Sequence, residues 1–329
     1  MPSPPSPPML SPRAMSSFPS PGSLSDSVGG IYSKVVALAL LSTMDAMVKA
    51  LGARYPTLQI VFCRSVFSVL PLLWLIQAAG GWQTLATRQP LLQFGRVVVS
   101  FLSMFGFFYL FPLMPLAELY AISFASPFFM TVLGVLLLGE QVGWRRWCAV
   151  IVGFIGVLII VQPGTAAFHP LSLAVLGTTF CYALSMICVR RLSRTDSDQT
   201  ILCYSIASIT VSGLIISGNE IAGQPLGTAW IWPTFTDWLW LAAIGLTGGF
   251  GQILMTRAWR LAPAAVLAPF DYVSIVFALS YGWLFWREVP TVWLWLGLPL
   301  IIGSGLYMLH RERVRARQRR SGSDDNSTA

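Results

Sequence analysis

Apolar runs of about 20 residues, the length needed to cross the hydrocarbon core of a bilayer, recur along the chain from Ile31 to Leu309. Short connections carrying glycine, proline and arginine separate them. The pattern predicts ten spans: Ile31–Leu51, Leu58–Ala79, Leu91–Phe111, Leu116–Leu138, Arg146–Val161, Leu171–Val189, Thr200–Ser217, Trp238–Met255, Ala264–Trp286 and Val292–Leu309. Residues 1–30 are rich in proline, serine and glycine and lack apolar periodicity, which predicts a disordered tail. Residues 311–329 form a second, basic tail. A secretory signal is a single short apolar stretch, whereas here the apolar spans continue to the end of the chain.

Composition agrees with the pattern. Of 329 residues 55% are hydrophobic and 10% charged, where a soluble domain carries about 25% charged residues, and the mean hydropathy is +0.68. The surface is therefore built for lipid, and the bilayer is the first partner the sequence implies. The formal charge of +8 comes from arginines crowded into the connections and the C-terminal tail. That placement is a topology signal and excludes nucleic acid as a partner. The five cysteines all fall inside apolar spans with no metal-ligand spacing and read as small buried apolar residues. His169 in a connection and His310 at the last span end offer no metal pair. Neither a metal nor a cofactor is expected.

The connections alternate in charge. With the N-terminus inside, one side receives Arg13, Arg88, Arg145, Arg146, Arg190, Arg191, Arg194, Arg257, Arg260 and six tail arginines, fifteen cations in all. The other side receives only Arg54 and Arg287. This asymmetry sets both termini in the cytoplasm of a bacterial inner membrane. Tryptophans near span ends, including Trp82, Trp144, Trp147, Trp232, Trp238 and Trp286, fit an interfacial belt.

An internal repeat is also legible. A shift of 148 residues places Pro115-Leu116-Ala117 on Pro263-Ala264-Ala265, Gly134 on Gly282, and Gly139-Glu140 on Arg287-Glu288. Each set reads as a proline-opened helix with a glycine near its far end and an acidic turn after it. The expected fold is all-α, ten transmembrane helices as two five-helix repeats covering residues 31–162 and 170–310. Five is odd, so the second repeat is inverted relative to the first, an architecture that transporters use to place a site at the repeat interface.

The segments Met44-Asp45-Ala46-Met47-Val48-Lys49-Ala50-Leu51-Gly52, Phe62-Cys63-Arg64-Ser65, Gly139-Glu140 with Val152-Gly153-Phe154-Ile155-Gly156-Val157, and Ala268-Pro269-Phe270-Asp271-Tyr272 resemble the EamA-type branch of the drug/metabolite transporter superfamily. The resemblance covers roughly residues 31 to 310. It implies ten helices around a central cavity and transport of a small molecule. Members of similar appearance export amino acids or metallophores, or import S-adenosylmethionine or riboflavin. The family offers no single catalytic signature, so the site is read from this chain.

Ionisable groups within a span cost about 2.5–3.5 kcal/mol each on insertion scales, so they face a cavity or a partner. Asp45 and Lys49, at i and i+4, share one helix face and form either an internal pair or a cavity wall; Lys49 is also near enough to its helix end to snorkel. Arg64 lies two turns into the second span, where its planar fork suits a substrate carboxylate or phosphate, or Asp45 or Glu118. Glu118 stands in the first turn after Pro115, as a helix N-terminal acid or a proton acceptor, and its repeat counterpart is Val266. Asp271 follows Pro269, which is expected to break the ninth span and free backbone groups; it is the leading candidate for a cationic substrate group or a proton. Tyr120, Tyr182, Tyr204, Trp259 and Tyr272 supply aromatic walls with polar handles. Arg96 is read as snorkelling to the cytoplasmic interface. Gly245, Gly248, Gly249 and Gly251 lack the strand and lysine of a nucleotide loop and read as close helix packing.

The sequence thus predicts a secondary transporter of a small zwitterionic or amphipathic metabolite, monomeric or homodimeric, not an enzyme, with export the favoured direction. No Walker-type motif appears. The competing class is a membrane-embedded enzyme such as a lipid-modifying transferase, for which the loops offer only His169 and Glu220.

Overall fold

The computed structural model describes residues 24–78, 87, 89–140, 142–163, 169–192, 204, 215, 230–262 and 264–324. The span expected over Thr200–Ser217 lies almost wholly outside the described residues, as do Pro263 and the tail to residue 23.

The described elements are helical. In chain order they are α1 (Leu24–Leu51), α2 (Thr57–Ala78), α3 (Pro90–Leu110), α4 (Leu116–Ser123), α5 (Ser126–Leu138), α6 (Trp144–Val161), α7 (Leu171–Leu192), α8 (Phe235–Leu261), α9 (Ala264–Leu267), a 3-10 turn (Ala268–Tyr272), α10 (Val273–Trp286) and α11 (Val292–Asp324). Among the described residues five helical stretches are long and apolar enough to cross a bilayer: Val28–Leu51, Pro90–Leu110, Leu116–Leu138, Leu171–Leu192 and Phe235–Trp259. Thr57–Pro71, Trp147–Val161 and Val292–Met308 are shorter apolar helices.

Two element ends depart from the sequence expectation. Helix α1 begins at Leu24, inside the segment expected to be a tail, because its first turns pack on α8: Gly30 lies so close to Ala262 that a β-carbon on it would stand 2.7 Å from the alanine's own. Helix α11 runs past Leu309 to Asp324, since the arginine-rich run there contains good helix formers and no breaker before Gly322.

Helix α1 packs along α8 and α10, α2 along α8, α3 along α7, α4 and α5 along α7, α10 along α4, and α6 along α11. The main core is formed where the first group meets α3 and α4, with Val48, Ile60, Val61, Leu110, Leu116, Leu119, Ile122, Leu241 and Ile244 nearly or fully buried. Large apolar side chains also cover the outside, among them Leu91, Leu136, Trp144, Trp232 and Val289. An apolar exterior of that extent requires a lipid solvent.

Small residues set the helix spacing. On α8, a β-carbon at Gly245 would stand 2.3 Å from that of Phe67, and one at Gly248 would stand 2.7 Å from the Met44 sulfur. The glycines of α8 are packing glycines, as expected. Polar clamps fix the entry of α8: Gln59 Nε2 donates to Ile231 O at 2.6 Å while Ile231 N donates to Gln59 Oε1 at 3.1 Å. Tyr55, in the turn before α2, donates to Asp237 at 2.7 Å. The carboxylate beside it holds the Tyr55 hydroxyl above its usual titration range.

Arg96 does not snorkel. It is 4% exposed, with Nε 3.3 Å from Gln93 Oε1, on the face of α3 that meets α7, where Ser100 and Ser185 share a 2.5 Å hydrogen bond. That face turns inward, so the side chain has no route to the interface. The cysteines are likewise not uniformly buried: Cys63 is, Cys148 is exposed on the outer surface, and Cys181 and Cys188 are intermediate. Cys203 lies outside the described residues.

Substituting Gly245→Ala forces Phe67 and the α2 backbone to shift, and overpacking of this kind costs about 1–3 kcal/mol. Gly177→Ala meets nothing within 4 Å. Thermal unfolding of the detergent-solubilised protein is expected to fall clearly for the first and to hold or rise for the second.

Candidate functional site

The charged side chains of α1 anchor three clusters strung along that helix. Lys34, Asp45 and Lys49 belong one to each, and at 1.5 Å rise per residue they lie about 16 and then about 6 Å apart along the helix axis.

The first cluster forms where the helix changes type between α9 and α10. Pro269 enters a 3-10 turn between α9 and α10, so the chain changes helix type over Ala268–Tyr272, and Asp271 sits in that turn. Its carboxylate meets the Lys34 ammonium at 2.8 Å. Lys34 is fully buried, its nitrogen 4.4 Å from the Trp259 ring centroid. The Asp271 side chain keeps 42% of its surface accessible. A carboxylate left accessible inside an apolar bundle is stable only against water or a polar ligand. Tyr182, 41% exposed, lies within electrostatic reach of Asp271. Tyr272 packs against Phe124 with centroids 5.0 Å apart and ring planes tilted by 44°, and its hydroxyl lies against Gly305, where a β-carbon would stand only 1.8 Å away.

The second cluster lies deeper along α1. Tyr120 donates a short hydrogen bond to Asp45, and Thr43 shares one with Tyr281 at 2.8 Å. Arg64 faces the same region, but among the described residues no carboxylate closes on it. Its Nη1 points at the Met104 sulfur at 2.9 Å and its Nε at the Met44 sulfur at 3.4 Å, over the Phe108 ring at 5.6 Å. Thioethers are weak acceptors, so this guanidinium is held in place by soft, replaceable contacts. Gly248 makes the room: a β-carbon there would stand 3.3 Å from Nε.

The third cluster closes the C-terminal end of α1. Lys49 pairs with Glu288 rather than with Asp45 and also donates to Met114 O at 2.6 Å. The other Glu288 oxygen accepts from Leu116 N at 3.2 Å. Glu118 stands one turn on, beside Thr291 and Glu288. The i,i+4 relation of Asp45 and Lys49 therefore does not become a pair, because each finds a partner across the bundle: Tyr120 for one, Glu288 for the other.

The structure brings together Asp45, Tyr120 and Arg64, and separately Asp271, Tyr272 and Tyr182. It does not bring Arg64 and Asp271 into one site. Sequence reasoning passed over Lys34, Glu288, Met44 and Met104. Lys34 carried a signal, being an ionisable group inside a span, and Glu288 stood in the repeat. The methionines carried none, since a methionine in an apolar run looks like any core residue.

Two segments of the chain, residues 29–162 and 170–309, match the EamA-like transporter family. The pseudopaline exporter CntI of Pseudomonas aeruginosa is 31% identical over 265 residues, covering 79% of this chain and 89% of its own. An S-adenosylmethionine uptake transporter of Rickettsia prowazekii is 26% identical over 286 residues, 87% and 94% of the two chains. A riboflavin transporter of Vibrio cholerae is 29% identical over 272 residues, 81% and 87%. A crystal structure 18% identical to this chain superposes with a TM-score of 0.60 over 87% of this chain and 99% of its own, which establishes the shared fold. The chain belongs to the EamA-like transporter family, with two copies of its domain. It is an integral membrane transport protein and not an enzyme.

Breaking the first cluster tests how its charges are held. Removing one partner of a buried pair costs about 3–5 kcal/mol, whereas replacing both with apolar residues is often neutral. Asp271→Asn, which leaves the fully buried Lys34 without its counter-charge, is expected to lower the yield and unfolding midpoint of the detergent-solubilised protein, and the double variant Lys34→Met/Asp271→Leu to recover most of the loss.

Proposed function

We propose that the protein is a secondary transporter that moves a small zwitterionic or amphipathic metabolite across the bacterial inner membrane by alternating access, with export its direction. The observation that carries this reading is Arg64: a guanidinium inside a helical bundle, held by two thioethers and a ring face, beside a tyrosine-bound carboxylate. A substrate carboxylate or phosphate offers Arg64 a better acceptor than either sulfur. Asp45 and, toward the other end of α1, Asp271 supply counter-charge for a substrate ammonium or for a coupling proton. Tyr120, Tyr272 and Tyr182 flank them, and Glu118 and Lys49 lie at the edge of the same region. A pseudopaline exporter among the relatives, at 31% identity, supports export.

Ten helices as two inverted repeats account for the packing. The 148-residue shift relates the break between α4 and α5 to the 3-10 turn between α9 and α10, and places Phe124 on Tyr272, the two rings that pack against each other. Gly139 and Arg287, equivalent under that shift, both adopt left-handed conformations, φ 66° and 56°. The close contact of Gly153 with Ser304 maps onto that of Ile301 with Gly156. Residues that meet their own equivalents are what a two-fold axis between repeats requires. The arginine-rich connections keep both termini cytoplasmic.

An untargeted metabolite comparison, inside and outside cells with and without the protein, identifies the cargo, and flux of that metabolite in proteoliposomes measures the site. A hydrogen bond to a charged group contributes about 1.5–3 kcal/mol, so Arg64→Ala is expected to reduce flux by roughly ten- to a hundredfold and Arg64→Lys to restore part of it. Unchanged flux in Arg64→Ala overturns the assignment of the site. Absence of any metabolite redistribution overturns transport.

A further inference from the structure

We infer that two ion pairs, Lys49–Glu288 and Arg190–Glu140, are the paired gates of the transport cycle, one at each end of the bundle and equivalent by the internal repeat. The inference rests on the transporter reading above and names residues which that reading leaves without a role in movement.

The two glutamates are built alike. Each follows a residue in the left-handed conformation, Gly139 or Arg287. Each donates its backbone N–H to the carbonyl of a glycine six residues back, Glu140 to Gly134 at 3.1 Å and Glu288 to Gly282 at 3.0 Å. Each folds its carboxylate over that same glycine, where a β-carbon would stand 2.9 Å from Glu140 Oε2 and 2.7 Å from Glu288 Oε2. In both turns the carboxylate occupies the space that the glycine's missing side chain leaves open.

The cations are equivalent as well. Lys49 stands two residues before Leu51, the end of α1, and Arg190 two residues before Leu192, the end of α7; the register at these helix ends is 141 rather than 148 residues, so the second half holds seven more residues between this helix and its glutamate turn. In each pair, therefore, the end of the first helix of one half is tied to the turn after the fourth span of the other half. Both bonds cross between halves, the boundary along which alternating access requires sliding or rocking.

The pairs stand at opposite ends. Glu288 accepts from Leu116 N at the start of α4, whereas Glu140 follows the end of α5. The intervening stretch Leu116–Leu138 holds 23 residues, about 35 Å of helix and so the depth of a bilayer core.

They are not in the same state. Lys49 and Glu288 are 5% and 20% exposed, the lysine bonded also to Met114 O and lying 5.2 Å from the Trp286 ring centroid. Arg190 and Glu140, 3.1 Å apart, are 50% and 35% exposed. One end is sealed and desolvated, the other wet. Asp271, with its accessible carboxylate, pairs with Lys34 on the side of α1 away from the sealed end. Both pairs are formed in this conformation, Lys49–Glu288 buried and Arg190–Glu140 exposed, and exchange of the two halves' conformations buries Arg190–Glu140 as Lys49–Glu288 parts.

A gate must break in every cycle, whereas a merely structural ion pair need not. In a background with all five cysteines replaced, Lys49→Cys/Glu288→Cys and Arg190→Cys/Glu140→Cys are each bridged by a bis-methanethiosulfonate reagent that dithiothreitol releases. Flux of the identified metabolite in proteoliposomes is expected to fall to background on bridging and to return on release, for both pairs. Hydrogen–deuterium exchange gives a readout that needs no substrate: bridging at Lys49 is expected to raise exchange around Glu140, and bridging at Arg190 to raise it around Glu288. Should the cysteine variants not fold, charge reversal decides. Juxtaposing like charges at Arg190→Glu is expected to lower flux about tenfold, and Arg190→Glu/Glu140→Arg to recover it. Flux that survives bridging, exchange at one end indifferent to bridging at the other, or a reversed double variant no better than the single one overturns the gates. Loss of flux from the uncrosslinked wild type overturns transport instead.

Discussion

An ionised side chain in the hydrocarbon core is unfavourable unless it finds a counter-charge, a strong acceptor or water, and each kind of solution occurs here. Lys34 takes a carboxylate and an aromatic face, Lys49 takes a carboxylate and a carbonyl, and Asp45 takes a phenol. Arg64 has the weakest solution, two sulfurs and a ring. The polar anatomy of the protein follows from how each charge is neutralised, and the residue least well satisfied is the one best placed to welcome a ligand.

The second determinant is helix continuity. In lipid every backbone donor and acceptor must be satisfied within the segment or against protein, so a break is tolerated only where the surroundings support it. The chain turns at Phe124–Ala125 between α4 and α5, and passes through a 3-10 turn at Ala268–Tyr272 between α9 and α10. The two breaks face each other through the Phe124–Tyr272 contact. Asp271 is in the second of them, where a changed helix type turns a carboxylate out of the packed face and toward accessible space.

Relatives named for pseudopaline, S-adenosylmethionine and riboflavin align with the chain at 26–31% identity. In this chain Arg64 is surrounded by two thioethers and a ring face, contacts able to adapt in shape. Methionines suit that role, because their flexible, polarisable side chains repack around different shapes.

Much of the protein was legible in its sequence because the bilayer imposes length and polarity on each span separately. The apolar runs, the proline-led breaks, the packing glycines of α8 and the Gly-Glu turn at the repeat all follow from local residue types. Partner choice was not legible. Asp45 and Lys49 lie on one helix face, yet each bonds across the bundle. Arg96 was expected at the interface and turned inward. Lys34 passed as an ordinary span residue until Asp271 arrived beside it from more than two hundred positions away. Local periodicity states which face of a helix is apolar and which carries a charge; only the packing of one helix on another decides which charge that face meets, because that depends on the relative rotation and depth of helices far apart in the chain.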